Sequence, residues 1–162
     1  MPWQEHVFSV FVASPGDVEA ERDCLEEIIR ELNIAWSREL GIRLELIRWE
    51  THAYPGIGDD AQAVINAQIP TDYDLFIGIM WCRYGTPTGR AGSGTIEEFQ
   101  RAKNRYDAEP SSIQLMFYFK DAPIPPSKLD PDQQFPKTCR SQNSSGILTC
   151  LFVNLHAKMG LS

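Results

Sequence analysis

Apolar residues fall into short runs separated by longer amphipathic stretches over the first 120 residues of the chain. Four of these runs are rich in β-branched and aromatic residues, which is typical of β-strands. They cover residues 7–13, 43–48, 73–80 and 113–119. The third is nearly continuous, as expected for a central strand that is covered on both faces.

The stretches between the runs have helical periodicity. Apolar residues recur at helical spacing from Val18 to Trp36, and Gly41 predicts the end of this first helix. Shorter helices are predicted over residues 60–69 and 95–106. Strands that alternate with helices at this spacing indicate βαβ units and a parallel sheet.

The start of the first helix carries three local signals. Ser14 is of a type that caps helices, and Pro15 suits the first helical position. The carboxylate of Asp17 would complement the positive end of the helix dipole. We therefore expect the helix to begin directly after Ser14.

These elements predict an α/β fold of the flavodoxin-like type, a doubly wound parallel sheet with strand order 2-1-3-4. Residues 1–130 are expected to form this domain. Residues 131–162 form an atypical C-terminal tail that follows a proline-rich stretch, and the run at 147–153 is a possible fifth strand.

Composition narrows the possible partners and compartment. The chain has 15 Lys and Arg against 22 Asp and Glu, a formal net charge of −7, which argues against nucleic acid as the main partner. Its longest apolar run is far below the roughly 20 residues that span a bilayer, and no signal peptide is evident, so we expect a cytoplasmic protein without membrane contact. The four cysteines lack zinc-ligand spacing, so no metal site is predicted, and Cys24 is expected to be a buried thiol.

Ligands of open α/β sheets bind beyond the carboxyl ends of the strands, where the winding reverses. This rule selects the loop 14–17 and the loop 81–94. The candidate ligand-binding residues there supply an aromatic ring, a cation and a backbone that a ligand can approach closely. They are Ser14, Pro15, Gly16, Asp17, Trp81, Arg83, Tyr84, Gly94 and Thr95. Such a set suits a nucleotide. A Trp at the end of a central strand is, however, more often a core residue than a ligand contact.

Glu97 and Glu98 follow the second of these loops and open the predicted helix. Acidic residues in a first helical turn commonly do no more than favour the positive end of the helix dipole. A carboxylate at this position would also point into the predicted crevice. Spacing alone leaves both interpretations open.

Six stretches of the sequence, in this order, bear on the family of the chain. They are FVASPGDVEAER, LIRWE, GDDAQAVINAQI, YDLFIGIMWCRYGTPT, AGSGTIEEFQRA and MFYFKDAPI. Together they resemble a divergent family of TIR-like domains that commonly lie N-terminal to multidomain ATPases and repeat proteins. The resemblance covers about residues 6–130. It implies a signalling or defence role, with self-association through TIR-like surfaces.

The stretch from Gly94 to Glu98 is also similar to the GTxxE motif of nucleoside 2-deoxyribosyltransferases, whose Glu attacks the sugar. In TIR enzymes a helix Glu in a comparable position supports cleavage of the nicotinamide–ribose bond of NAD. The resemblance therefore implies that Glu98 is catalytic and that NAD or a related nucleotide is a substrate rather than a resident cofactor. The alternative is a non-catalytic self-association module of a larger signalling protein.

A dinucleotide-binding fingerprint is the weaker alternative for phosphate binding. Residues 56–61 formally fit GxGxxG/A, but a long loop separates them from the preceding strand. Asp59 and Asp60 would also lie where a pyrophosphate has to bind. These two residues are better explained as a helix cap.

Overall fold

The computed structural model describes residues 4–48, 68, 70–81, 94–120 and 122–123. Within these ranges the chain is a mixed α/β structure. The strands are β1 (His6–Ala13), β2 (Ile42–Ile47), β3 (Leu75–Met80) and β4 (Gln114–Phe119). The helices are α1 (Glu19–Leu40), which follows a 3-10 turn over Gly16–Val18, and α2 (Gly94–Ala108).

The four strands form one parallel sheet in the order β2-β1-β3-β4. In register, Phe11 of β1 lies between Ile47 of β2 and Phe76 of β3. This confirms the predicted strand order, with the first and third strands in the centre. The arrangement is consistent with a flavodoxin-like fold.

Helix α1 covers one face of the sheet. Its buried stripe includes Leu25, Ile29 and Trp36, which pack in one cluster with strand residues such as Val10 and Ile77. Helix α2 covers the opposite face, where Ala102 packs in a second cluster with other strand residues. That cluster also contains Phe11, Ala13, Ile47, Tyr73, Phe76 and Ile113. Strand β3 is buried at all six positions because both clusters cover it.

Helix α1 ends at the C-cap residue Gly41, as the sequence predicts. Gly41 adopts the left-handed conformation at φ 63°, and its backbone N–H donates to the carbonyl of Trp36. A side chain would be strained at this φ, so glycine suits the turn into β2. The edge of β2 is then covered by the side-chain amide of Asn33, which bonds both the N–H and the carbonyl of Leu44 at 2.7 and 2.9 Å.

The predicted start of α1 was wrong in detail. Pro15 is extended, with φ −69° and ψ 167°, and lies outside the helix. A 3-10 turn intervenes, so the α-helix proper begins at Glu19, and no side chain caps either segment. Ser14 is therefore too far upstream to cap α1.

Cys24 was also predicted wrongly, because its thiol is exposed. It neighbours Leu25 in sequence, and successive helix residues point about 100° apart. The predicted helix over 60–69 lies outside the described residues except for Gln68, which is helical. The possible fifth strand and the tail 131–162 lie outside them as well.

Candidate functional site

The carboxyl edge of the sheet brings together the segments that the sequence selected. Strand β1 ends at Ala13 and β3 at Met80, in the centre of the sheet, and both described helices begin at this edge. Parallel strands all end on the same side, so the loop 14–17 and the start of α2 are neighbours by topology.

Glu98 lies in the second turn of α2, on the stripe that faces the sheet. It shares this stripe with Thr95 and Ala102, which are spaced three and four residues away. Glu98 is only 8% exposed, as is Thr95. Burying an ionised carboxylate is costly unless nearby groups compensate for the lost water, so such a residue is unusual on a helix that could carry an apolar one.

Glu97 differs from its neighbour in both direction and partner. One residue turns a helical side chain by about 100°, so Glu97 points away from the sheet-facing stripe. Its carboxylate lies 3.7 Å from the guanidinium of Arg101, one turn along, and its side chain is 15% exposed. The structure thus gives the two acids different environments.

Tyr73 lies in the core cluster on the α2 side of the sheet, where burial and nearby charges affect its pKa. Burial raises the pKa of Tyr73 to about 12, the guanidinium groups of Arg105 and Arg101 act in the opposite direction, and the carboxylate of Glu98 adds to the increase. Arg105 also donates to the carbonyl oxygens of Tyr73 and Ser112 at 2.6 Å each. The buried phenol of Tyr73 is therefore within electrostatic range of the Glu98 carboxylate and of two partly exposed guanidinium groups.

Trp81 follows β3 directly and packs against the α1-side cluster. Its indole N–H donates to the carbonyl of Ala122 at 3.0 Å. The ammonium of Lys120 lies 4.7 Å from the ring centroid and 2.6 Å from a carboxylate oxygen of Glu21. Sequence reasoning missed Lys120 and Glu21, since nothing in their local patterns indicates that they meet.

Ser14 is buried at the end of β1, at 7% exposure. Within the described part of the chain its hydroxyl oxygen has no hydrogen-bond partner. Gly16, two residues on, is exposed, and a Cβ built there would meet open space. The loop 14–17 thus combines a buried polar group with an accessible backbone.

The structure places Trp81 and Glu98 on different sides of the sheet. Trp81 belongs to the α1 side, whereas Glu98 belongs to the helix that covers the opposite face. The two groups can approach a common ligand only beyond the strand ends. Gly94 is the first residue of α2, while Arg83 and Tyr84 lie outside the described residues.

Among the described residues no group of three or more His, Cys, Asp and Glu side chains is arranged to hold a metal ion. None of the helices in the described ranges is long and apolar enough to cross a bilayer.

No protein-family model, curated protein or solved structure matches this chain. The family resemblance therefore depends on the sequence motifs themselves, and the fold on the strand order and helix placement described above.

Proposed function

We propose that the chain is a TIR-like signalling or defence domain of the cytoplasm that hydrolyses the N-glycosidic bond of NAD or a related nucleotide. Glu98 is the catalytic carboxylate in this proposal. The loop 14–17, the Trp81 ring and the start of α2 at Gly94 and Thr95 contact the substrate.

The burial of Glu98 is the observation that carries the proposal. Only 8% of this residue is exposed, although it lies near the start of a helix at the edge where α/β folds bind ligands. An acid that served only the helix dipole would do so from the first turn and in solvent, without the cost of burial, whereas Glu98 lies in the second turn and is buried. Of the two acids after Gly94, Glu98 is also the one that matches the GTxxE motif.

The chemistry follows from the charge that develops on the sugar. As the C1′–N bond breaks, its electron pair leaves with the base and the ribose becomes oxocarbenium-like. A nearby carboxylate stabilises that cation or bonds to C1′. The oxygen of a water molecule then bonds to C1′, the water gives up a proton, and any bond from C1′ to the carboxylate breaks, so that C1′ carries a hydroxyl group. A poorly hydrated carboxylate is more effective in this role because little water screens its charge.

Purified protein incubated at high concentration with NAD and with nucleosides tests the proposal, with free base measured by chromatography. We expect Glu98→Gln to lower the rate by about a thousandfold, since the amide keeps the shape of the side chain but loses its charge. The melting temperature should remain nearly unchanged. Glu97→Gln is the matched control and should retain activity, because its side chain points elsewhere.

Equal rates for the two variants would contradict the assignment of Glu98. If the wild type releases no base from any of these compounds, the enzymatic proposal is wrong. The alternative of a non-catalytic self-association module would then be the one to test, by sedimentation over a range of protein concentrations.

A further inference from the structure

Three elements meet on the α1 side of the carboxyl edge. Trp81 follows β3, Lys120 follows β4, and Glu21 lies in the first turn of α1. The backbone N–H of Lys120 donates to the carbonyl of Met80 at 2.8 Å, which continues the pairing of β3 with β4 past the strand ends. Trp81 and Lys120 are therefore fixed as neighbours by the backbone.

The side chain of Lys120 joins the other two groups. Its ammonium lies 2.6 Å from the Glu21 carboxylate and 4.7 Å from the centroid of the Trp81 ring. The edge of the same indole is held separately, through its N–H bond to Ala122. One contact fixes the face of the ring and the other fixes its edge, so together they define its orientation.

Burial distinguishes this ion pair from those on the outer surface of the helices. The Lys120 and Glu21 side chains are each 28% exposed, whereas Arg30 and Glu27 are 65% and 63% exposed. Exposed pairs are screened by water and contribute little, while partly desolvated pairs and cation–π contacts are stronger. The Lys120 contacts are thus of the kind that can hold a side chain in place.

A second cation provides a comparison. Arg48 follows β2 and reaches the same helix, where its guanidinium contacts Asp23 at 3.5 Å and also bonds Glu26. It connects a strand end to α1, as Lys120 does, but through Asp23 and Glu26 and at the end of β2, the strand on the far side of β1 from β3. Removing its charge tests the loss of ion pairs between a strand end and α1 at a different strand.

We propose that Lys120 is a positioning residue, which holds the Trp81 ring in a fixed orientation at the candidate site and ties it to the start of α1. Its effect on the ring is independent of any activity. Its effect on substrate binding rests on the proposed function, in which Trp81 contacts the nucleotide.

The indole N–H of Trp81 supplies a direct readout by ¹H–¹⁵N NMR, with Trp81→Phe used for assignment. In Lys120→Met we expect this signal to shift and its hydrogen exchange to accelerate about fivefold or more, because the ring loses its face contact. Glu21→Gln should do the same to a smaller extent. Lys120→Arg should resemble the wild type, and Arg48→Met should leave the signal unchanged.

Kinetics of base release from NAD supply the second readout. Lys120→Met should raise KM about tenfold with kcat nearly unchanged, since a ring that positions the ground state affects binding more than chemistry. Lys120→Arg should restore KM, and Arg48→Met should not alter it. A loss of general stability would instead affect Lys120→Met and Arg48→Met alike.

An unchanged Trp81 signal in both Lys120→Met and Glu21→Gln would overturn the proposal. A shifted signal with unaltered KM and kcat would overturn the role of Lys120 in substrate binding, because the contact with the ring would then be purely structural. A wild-type protein that releases no base refutes the proposed function and, with it, the role of Lys120 in binding. In that case the NMR comparison still decides whether Lys120 orients the ring.

Discussion

Ser14 lies where β1 ends, and its hydroxyl is buried without a hydrogen-bond partner in the described part of the chain. A buried hydroxyl in this state costs free energy of folding. Ser14→Ala should therefore leave the free energy of unfolding unchanged or raise it by about 1 kcal/mol. A helix-capping serine would behave in the opposite way, since its loss costs about 1 kcal/mol.

Urea denaturation of the two proteins measures this difference. Asn33→Ala is the contrasting control, because the Asn33 amide makes two good hydrogen bonds to the Leu44 backbone. Asn33→Ala should lower the free energy of unfolding by about 1–3 kcal/mol, because it leaves the N–H and the carbonyl of Leu44 without these hydrogen bonds. A comparable loss in Ser14→Ala would show that its hydroxyl has a structural partner.

Tyr73 gives a prediction for alkaline pH. Burial raises the pKa of Tyr73 to about 12 in the folded protein, whereas an unfolded chain titrates near 10. Between these values the unfolded chain loses the phenol proton while the folded protein keeps it. Stability contributed by Tyr73 is thus complete below about pH 10 and decreases as the pH rises toward about 12.

Tyr73→Phe should remove this contribution while keeping the stacked contact with Phe11, whose centroid is 4.9 Å away. Urea midpoints compared at about pH 9 and about pH 11 should fall further for the wild type than for the variant. Equal decreases would mean that the phenol ionises as it does in water.

At the level of elements, the packing of β3 depends on a residue without a side chain. A Cβ built on Gly78 would lie 2.4 Å from a ring carbon of Phe117 on the adjacent strand β4. The Phe117 ring packs edge-on against Phe99 of α2 at 4.8 Å, which restricts its ability to move. Gly78 therefore makes room for an aromatic contact between β4 and α2.

Gly78→Ala should lower the free energy of unfolding by about 1–3 kcal/mol through this overlap. In a Phe117→Ala background the same change should cost much less, because the clashing ring is gone. A double-mutant cycle measured by urea denaturation gives the coupling directly. Additive effects would show that the ring moves aside without cost.

The sequence predicted the central strands well, because a strand that is buried on both faces, such as β3, is a continuous apolar run. The prediction was less accurate at the ends of the strands. Tyr73 is buried and belongs to the apolar run, but it lies outside the strand, since the carboxylate of Asp74 bonds the N–H of Ser9 where the chain bends. An apolar run indicates which residues are buried, whereas the hydrogen bonds determine where the strand begins.

The candidate site was predictable only in part for a related reason. Glu98 could be selected because its motif is local. The contacts of Lys120 with Glu21 and Trp81 join three separate elements and follow from the strand order and register. Polar partners of this kind leave no periodic signal in the sequence, so they emerge only once the fold is known.

For the whole molecule, the strand order and the two clusters predict how stability is distributed. β1 and β3 are paired on both edges, and β3 is buried at every position. β2 and β4 each pair with one neighbour within the described sheet. In β4, Phe117 is 37% exposed and three further positions are half-buried. Local opening therefore costs least at β4 and most at β3.

Native-state hydrogen exchange followed by NMR should accordingly show the slowest amides in β3 and the inner half of β1. These amides should exchange only through global unfolding of the protein. Amides of β4 should exchange faster through local opening, and Gly78→Ala should widen that difference because it weakens the contact that holds β4. Exchange in β4 as slow as in β3 would mean that the sheet opens only as a unit. In that case the Lys120 contacts at the end of β4 would stabilise the whole sheet as well as the orientation of one ring.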